Sequence, residues 1–486
     1  MTVHTIKTPL KHITTDSRKV QQGSLFLAYP GDAKDGRTYI ADAIKNGANA
    51  VLWDSQGFKW NPEWNVENQP IKQLRLQAGK IASQFYNNPS TKLCIVGVTG
   101  TNGKTSITQW LSQCFNYLQR KTAVIGTLGN GLPNQLSETT NTTPDAVLLQ
   151  SMLADYVQQQ VEVVAMEVSS HGLHQGRLRG VNFDVAVLSN LTRDHLDYHL
   201  TFEAYAAAKR SLFESKDLKY AVLNCDDAFG QALEKDLKAA GKAVLTYGIT
   251  QGDVQAVDVK FENTHFTFNA TTSFANAPPR SAPVKVNLVG RFNVYNVLAV
   301  LATLLASKVS LADAVDAILH IEPAKGRMQM LGGGGLPLVV VDYAHTPDAL
   351  EKVLETLKMQ ASSKLICVFG CGGNRDTGKR PLMGKVASNL ADAVVVTSDN
   401  PRDEAPDRII DDILKGVHGN FHSNLIVELD RAKAISIGIL SAKPNDIVLI
   451  AGKGHEEYQE IKGNKHYFSD IEQAKDVLKI YAETVA

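Results

Sequence analysis

Short apolar runs alternate along this chain with stretches in which apolar residues recur at helical spacing. LCIVGV at Leu93–Val98 is one such run; it breaks into a Gly-rich turn and then a helical pattern carried by Ile107, Trp110, Leu111 and Cys114. VEVVAMEVSSH (Val161–His171) and FDVAVLSNLTRDHLDYH (Phe183–His199) repeat the arrangement. Near-continuous apolar strands suit a parallel sheet buried on both faces, with helices as its crossovers. In FEAYAAAKRSLF (Phe202–Phe213), Phe202, Tyr205, Lys209, Leu212 and Phe213 share one helical face while Arg210 points away. Val286–Ala306 reads as a strand, a turn and a strongly apolar helix.

The last third repeats the rhythm four times, in LPLVVVDYAHTPD, KLICVFGCGGNRD, ADAVVVTSDNPRDEAP and NDIVLIAGKGHEEYQ. Each is an apolar strand that breaks into a polar loop marked by Gly or Pro, and four in succession predict a doubly wound parallel sheet with a crevice at the loop ends. The first stretch holds a TDSR turn (Thr15–Arg18), a strand and turn at Gly23–Gly31, and a helix then a strand between Tyr39 and Trp53. NNPSTK at Asn87–Lys92 reads as a linker. The expected boundaries are 1–88, 89–325 and 326–486, three α/β domains with a central P-loop-type nucleotide domain.

Length agrees, since 486 residues exceed one core and roughly three domains of about 150 are expected. The composition, 44% hydrophobic and 21% charged, is that of an ordinary soluble globular protein. Acidic and basic residues are equal at 50 each, so no overall field draws nucleic acid or an anionic membrane. The five cysteines are scattered, which fits reduced thiols in a cytosol, and Cys367 with Cys371 is too few for a zinc site. The N-terminus has no apolar signal core and no apolar run reaches membrane-spanning length, so a cytoplasmic protein without membrane insertion is expected.

Candidate chemistry gathers where the runs end. In TGTNGKTS, Gly100 and Gly103 let the backbone turn its N–H groups toward a phosphate, Lys104 adds charge, and the Thr105 hydroxyl is placed for magnesium. The standard GxxxxGK spacing fails, because Val98 stands where its first glycine belongs. Glu167 ends an apolar strand, where a carboxylate needs a cation, a salt bridge or a proton. Asp194, His195, Asp197 and His199 end the next strand; for magnesium, Thr105 and Glu167 offer better oxygen donors than His195. Lys209 either snorkels to water or pairs with an acid, or is held in the site for substrate or metal work. Ser17 and Arg18 form either an anion contact or a solvated turn, and Asn293 and Asn296 either cap their helix or meet a base. The loops of the last third carry Asp342, His345, Arg375, Asp399, Arg402, His455 and Glu456, a set suited to a small zwitterion. GCGGN lacks the GxGxxG spacing of an NAD site.

Taken together, TDSR, GSLF, GTNGKT, NTTPD, EVSSHGL, DHLDYH, AYAAAK, GRFNVYN, GRMQ, DYAHTPD, GCGGNRD, DNPR and GKGHE resemble the Mur ligase family, in the family's order and over nearly the whole length. The resemblance implies an N-terminal UDP-sugar domain, a central ATPase and a Rossmann-like C-terminal domain for an amino acid. It implies ATP-dependent amide formation through an acyl phosphate in cytoplasmic peptidoglycan precursor synthesis, with Mg2+, by a monomer. Carried over position by position, ATP falls to Gly100, Thr101, Asn102, Gly103, Lys104, Thr105, Ser106, Asn293, Arg327, Asp342 and His345. Thr105, Glu167, His195 and a carbamylated Lys209 match the metal positions, with Lys104, Lys209 and His195 as the catalytic set. Ser17, Thr142, Thr143, Ser169, Gln175 and Arg177 match contacts to UDP-N-acetylmuramoyl-L-alanyl-D-glutamate.

Within the family, DNPR marks members that use meso-diaminopimelate, and this chain has Asp399-Asn400-Pro401-Arg402. Diaminopimelate carries a far carboxylate that lysine lacks, and a guanidinium can hold it at two points. Arg375, Gly452 and Glu456 match the remaining contacts, Glu456 suiting the distal ammonium. Ser24 and Gln329 replace acidic residues common in the family's GDLF and GRME. The alternatives are a lysine-adding member, a relative of folylpolyglutamate synthase, which lacks the N-terminal domain and DNPR, and an ATPase switch that turns over without co-substrates.

Overall fold

A computed structural model describes all residues except 1–5, 33, 134, 138, 140, 263–264, 274–279, 362 and 486. The chain divides into two compact units: Met1–Gln255 with Thr272–Arg280 and Leu298–Ala317, and Ala256–Thr271 with Ser281–Val297 and Ile318–Ala486.

The first unit contains two sheets. Strands β1 (His12–Thr14), β2 (Ser24–Ala28), β3 (Ala48–Asp54) and β4 (Glu67–Ile71) form a parallel sheet in that order. Side-chain alternation sorts its two faces. Leu25, Leu27, Ala50 and Leu52 pack on Leu74, Ala78, Ile81 and Ala82 of the helix Leu74–Phe85. Phe26, Ala28, Val51 and Trp53 pack on Ile40 and Ala43 of the helix Ile40–Lys45. The stretch expected as a linker is anchored: Pro89–Lys92 is a 3-10 turn with Pro89 and Ser90 buried, and Ser90 Oγ accepts the Asn182 amide at 3.1 Å.

The second sheet is built from β5 (Cys94–Thr99), β6 (Thr122–Gly126), β7 (Gly129–Gly131), β8 (Val163–Glu167), β9 (Val185–Leu188), β10 (Tyr220–Asn224) and β11 (Val244–Gly248), in the order β7-β6-β8-β5-β9-β10-β11. Only β7 runs antiparallel to its neighbour in this stretch. β5, which leads into the Gly-rich loop, and β8, which ends in Glu167, are adjacent, with Val98 opposite Glu167. That register brings the expected phosphate loop and the expected carboxylate to the same sheet end. Tyr205, Leu212 and Phe213 are buried as the helical spacing requires, but Phe202, on the first turn, is 39% exposed; the stripe begins one turn later than the periodicity predicts.

Strands β12 (Val254–Phe261), β13 (Phe266–Thr272) and β14 (Arg280–Val286) follow, and then the helix Arg291–Ala306. The sheet of the second unit comprises β15 (Gln329–Gly332), β16 (Leu338–Asp342), β17 (Leu365–Phe369), β18 (Ala393–Val396), β19 (Leu425–Val427) and β20 (Ile447–Ala451), ordered β15-β16-β20-β17-β18-β19. All but β15 are parallel. The four predicted strands are β16, β17, β18 and β20. β20 inserts between β16 and β17, which opens the switch point where ligands bind in such sheets. A hairpin of β21 (Tyr458–Ile461) and β22 (Asn464–Tyr467) follows β20.

Candidate active site

Backbone shape sets the loop expected for phosphate. Gly100 has φ +147, and a Cβ there would stand 1.9 Å from Ser189 Oγ; Gly103 has φ +87 and caps the helix Lys104–Tyr117. Thr101 N donates to the Asn190 carbonyl and Asn102 N to Asn190 Oδ1. Thr105 and Ser106 are buried in the first helical turn. Lys104 Nζ donates to the carbonyls of Gly100 and Thr101, both at 2.9 Å.

Lys209 reaches the same loop from the helix Phe202–Arg210. Its Nζ donates to the Gly100 carbonyl at 2.8 Å and lies 4.6 Å from the centre of the Tyr205 ring, whose hydroxyl is 3.0 Å from Thr101 Oγ1. Among the described residues no acid forms an ion pair with it, and it is 1% exposed. Burial, and next the Lys104 charge, hold its amine well below the ordinary lysine range. Arg210, one residue on, ion-pairs with Glu214 and Asp236.

Glu167 is the hub of the sheet end and is 1% exposed. Thr105 Oγ1 donates to its Oε2 at 3.0 Å, Thr127 N to its Oε1 at 2.8 Å and Thr127 Oγ1 to its Oε2 at 3.2 Å. Gly126 makes room: a Cβ there would lie 2.3 Å from Glu167 Oε1. His195 sits in an aromatic group, its ring 4.9 Å from His171 and 6.1 Å from Tyr205, with Nε2 3.4 Å from Asp194. The side chain of Asp197 is outside the described part.

Five of the six residues matched to the muramoyl peptide join one network running outward from Glu167. Thr142 Oγ1 is 3.2 Å from Thr127 Oγ1, and Thr143 Oγ1 donates to the Glu167 carbonyl and accepts from Ser169 N. Arg177 donates to the Thr143 carbonyl and to Gln175 Oε1, and Gln175 donates to Asp32, which pairs with Arg75 at 2.6 Å. Ser17 opens a 3-10 turn on the first sheet, its carbonyl accepting from Asn46. Arg18 folds back onto Asp16, which answers its charge locally.

In the second unit, Asp342 ends β16 and accepts the amides of Met328 and Ala344, each at 2.8 Å. Burial pushes its carboxyl upward against the Arg327 charge. The Arg327 guanidinium lies 4.6 Å from the Tyr343 ring, which His345 and His455 flank at 4.6 and 5.1 Å. Burial, and then Arg327, pull the His455 imidazole down to about 4. Asn293 Nδ2 donates to the Val289 carbonyl at 2.7 Å, and its Oδ1 accepts from Asn296 Nδ2 at 3.0 Å.

The loops after β17, β18 and β20 assemble the charged group expected for an amino acid. Asn400 Nδ2 donates to Glu456 Oε2 at 2.8 Å; Lys453 Nζ reaches Asn400 Oδ1 and Glu456 Oε2 at 3.0 and 3.1 Å and Asp399 at 3.7 Å. Gly452, at φ +119, lies against Asp399, where a Cβ would be 3.0 Å from Oδ2. Arg402 Nε donates to Glu460 and Nη1 to the Gly373 carbonyl, at 3.0 and 2.8 Å, while Arg375 is exposed nearby, following the Gly372–Gly373 turn. The GCGGN glycines serve this packing: a Cβ on Gly373 would be 2.0 Å from the Pro401 carbonyl, so they admit the Asp399–Arg402 loop rather than a dinucleotide. Sequence reasoning missed Thr127, Gly126, Asp32, Arg75, Lys453 and Glu460. Only Lys453 carried a signal, lying inside GKGHE.

Three family models match the chain: the Mur ligase family catalytic domain at 9–86, the Mur ligase middle domain at 98–304 and the Mur ligase glutamate ligase domain at 326–454. A UDP-N-acetylmuramoyl-L-alanyl-D-glutamate–2,6-diaminopimelate ligase of Chromobacterium violaceum is 50% identical over 480 residues, 98% of this chain and 95% of its own. The protein of the same name from Neisseria meningitidis serogroup A is 51% identical over 464 residues, covering 94% and 92%. A solved structure of a UDP-N-acetylmuramoyl-L-alanyl-D-glutamate–2,6-diaminopimelate ligase matches with a TM-score of 0.71 at 39% identity, covering 98% of this chain and 96% of the other.

Proposed function

The chain belongs to the Mur ligase family, and from that premise we propose that it joins meso-2,6-diaminopimelate to UDP-N-acetylmuramoyl-L-alanyl-D-glutamate at the expense of ATP. The observation that carries the amino-acid choice is Arg402. Among the described residues two of its five N–H groups are engaged, by Glu460 and Gly373, leaving three that a carboxylate could use, and Glu456 and Asp399 stand in the same group for ammonium. Lysine lacks the far carboxylate and would leave those N–H groups unused.

The reaction has two steps. The substrate carboxylate attacks the γ-phosphorus of ATP and ADP leaves, giving an acyl phosphate; the amine then attacks the acyl carbon, loses a proton, and phosphate departs from the tetrahedral adduct. The loop from Gly100 to Ser106 is our proposed phosphate cradle, with Lys104 turning from its own carbonyls to the phosphates. Arg327, Asp342, Asn293 and His345 are proposed around the nucleotide, and Ser17, Thr142, Thr143, Ser169, Gln175 and Arg177 around the muramoyl peptide.

Magnesium fits the donors present. The Glu167 carboxylate is buried beside the hydroxyls of Thr105 and Thr127, a hard oxygen set, with His195 proposed for a second ion. When bound, the metal would neutralise phosphate charge as it builds during transfer. The same logic explains Lys209. Two ammonium groups donate to one Gly100 carbonyl, and the buried amine is depressed. A neutral amine can attack carbon dioxide, forming a C–N bond and releasing a proton to give a carbamate, which would add an anionic oxygen donor rather than a competing cation.

The test of the amino-acid assignment is Arg402→Ala, which should lower kcat/KM for diaminopimelate at least tenfold, about 1.4 kcal/mol or more. An unchanged value would overturn the assignment. We also propose a monomeric cytoplasmic enzyme with domains at 1–88, 89–325 and 326–486; among the described residues no helix is long and apolar enough to cross a membrane.

A further inference from the structure

Arg402 has an unusual setting for a surface arginine. Its backbone is left-handed, at φ +53, a conformation that costs a non-glycine residue of order 1 kcal/mol or more and persists where the surroundings impose it. The hairpin β21–β22 does the imposing. Arg402 N donates to the Glu460 carbonyl at 3.0 Å, Lys462 N donates to the Arg402 carbonyl at 2.9 Å, and Arg402 forms a parallel bridge with Ile461. On the side-chain level Glu460 Oε2 accepts from Arg402 Nε at 3.0 Å. The other side is closed as well, since a Cβ on Gly372 would stand 3.0 Å from Arg402 Nη1. The Glu460 amide donates to Asn400 Oδ1 at 2.9 Å, and Gln459 Nε2 donates to the Asp399 carbonyl at 2.8 Å. One hairpin strand therefore grips the loop on both sides of Pro401.

We infer that Glu460 is a specificity-determining positioning residue, which fixes the Arg402 guanidinium by its Nε side so that the remaining N–H groups are presented to the far carboxylate of the amino-acid substrate. The inference rests on the reading of Arg402 as the contact for that carboxylate. The pair is only partly exposed, at 20% for Arg402 and 27% for Glu460, so solvent screens it incompletely. An arginine side chain has four rotatable bonds, and holding it ready removes an ordering cost that binding would otherwise bear. Glu460 acts through Arg402 and touches no substrate itself. Its contribution therefore belongs to the amino acid alone, and not to ATP or the muramoyl peptide.

The test is steady-state kinetics on Glu460→Ala, Glu460→Gln, Arg402→Ala and the double variant Glu460→Ala/Arg402→Ala, varying each of the three substrates in turn. Glu460→Ala is expected to raise KM for diaminopimelate about tenfold with KM for ATP and the muramoyl peptide within twofold. Glu460→Gln keeps an oxygen acceptor for Nε and should stay within about threefold of the parent. In the Arg402→Ala background, removing Glu460 should add less than twofold. A Glu460→Ala effect spread over all three substrates, an equal loss in Glu460→Gln, or multiplicative losses in the double variant would overturn the inference. If Arg402→Ala itself leaves diaminopimelate kinetics unchanged, the reading of Arg402 fails; if Arg402→Ala is impaired and Glu460→Ala is not, only the positioning role fails. Should Glu460→Ala not fold, a Gln variant with tenfold-raised KM for diaminopimelate would overturn the acceptor role on its own.

Discussion

Two lysine amines share one carbonyl oxygen, at 2.8 and 2.9 Å, and like charges that close disfavour the state in which both are protonated. Lys104 has the more open position and Lys209 the buried one, and burial, then the Lys104 charge, hold the Lys209 amine well below the ordinary lysine range. Lys209→Ala should lower kcat at least a hundredfold, about 2.7 kcal/mol, and added acetate or formate should restore part of it by supplying the missing carboxylate. Absence of any rescue would count against the carbamate. The inward turn of Lys209 was legible in the sequence, because helical spacing put it on the face with Tyr205, Leu212 and Phe213. Its partners were not. Gly100 lies 109 positions away, and nothing in local pattern announces which carbonyl a buried amine will meet. Glu460 was illegible for the same reason, and Lys453 was marked only by its place in GKGHE: their partners, Arg402 and Asn400, lie 58 and 53 positions earlier.

Strands carried most of what the sequence could say about elements. β5, β8, β9, β16, β17, β18 and β20 are apolar enough to be read directly, as buried parallel strands are. What pattern could not supply is strand order, and order decides the chemistry: Glu167 meets Thr105 because β8 lies beside β5, and meets Thr127 because β6 lies on its other side. Gly126→Ala tests that neighbourhood. Its Cβ would press on the Glu167 carboxylate, so activity should fall at least tenfold and higher magnesium concentrations should be needed for half-maximal rate. An unaltered magnesium titration would contradict the role of that contact. In the second unit the ends of β18 and β20 are held by a wholly buried pair, Arg431 with Asp470 at 2.7 Å, Arg431 also donating to the carbonyls of Ser398 and Ala451. Removing one partner strands a buried charge. Arg431→Ala should therefore cost about 3–5 kcal/mol in urea unfolding, whereas replacing both partners by apolar residues should cost far less.

At the scale of the molecule, acidic and basic residues balance at 50 each, so no overall field favours a polyanion. The proposed phosphate loop and the residues proposed for the muramoyl peptide lie in the first unit; the Asp399–Arg402 loop and the Tyr343 group lie in the second. A ligase of this kind uses the Asp399–Arg402 loop for its amino acid, and a switch ATPase has no use for it. The anchored Pro89–Lys92 turn escaped the sequence reading because Gly-free, Asn-rich turns look alike whether they dangle or dock; burial of Pro89 and Ser90 is a tertiary fact. The most direct measurement is phosphate release from ATP and magnesium with UDP-N-acetylmuramoyl-L-alanyl-D-glutamate, adding meso-diaminopimelate or L-lysine in parallel. The account predicts release only when diaminopimelate and the muramoyl peptide are both present. Equal release with lysine would contradict the reading of Arg402, and release without either co-substrate would contradict the ligase itself.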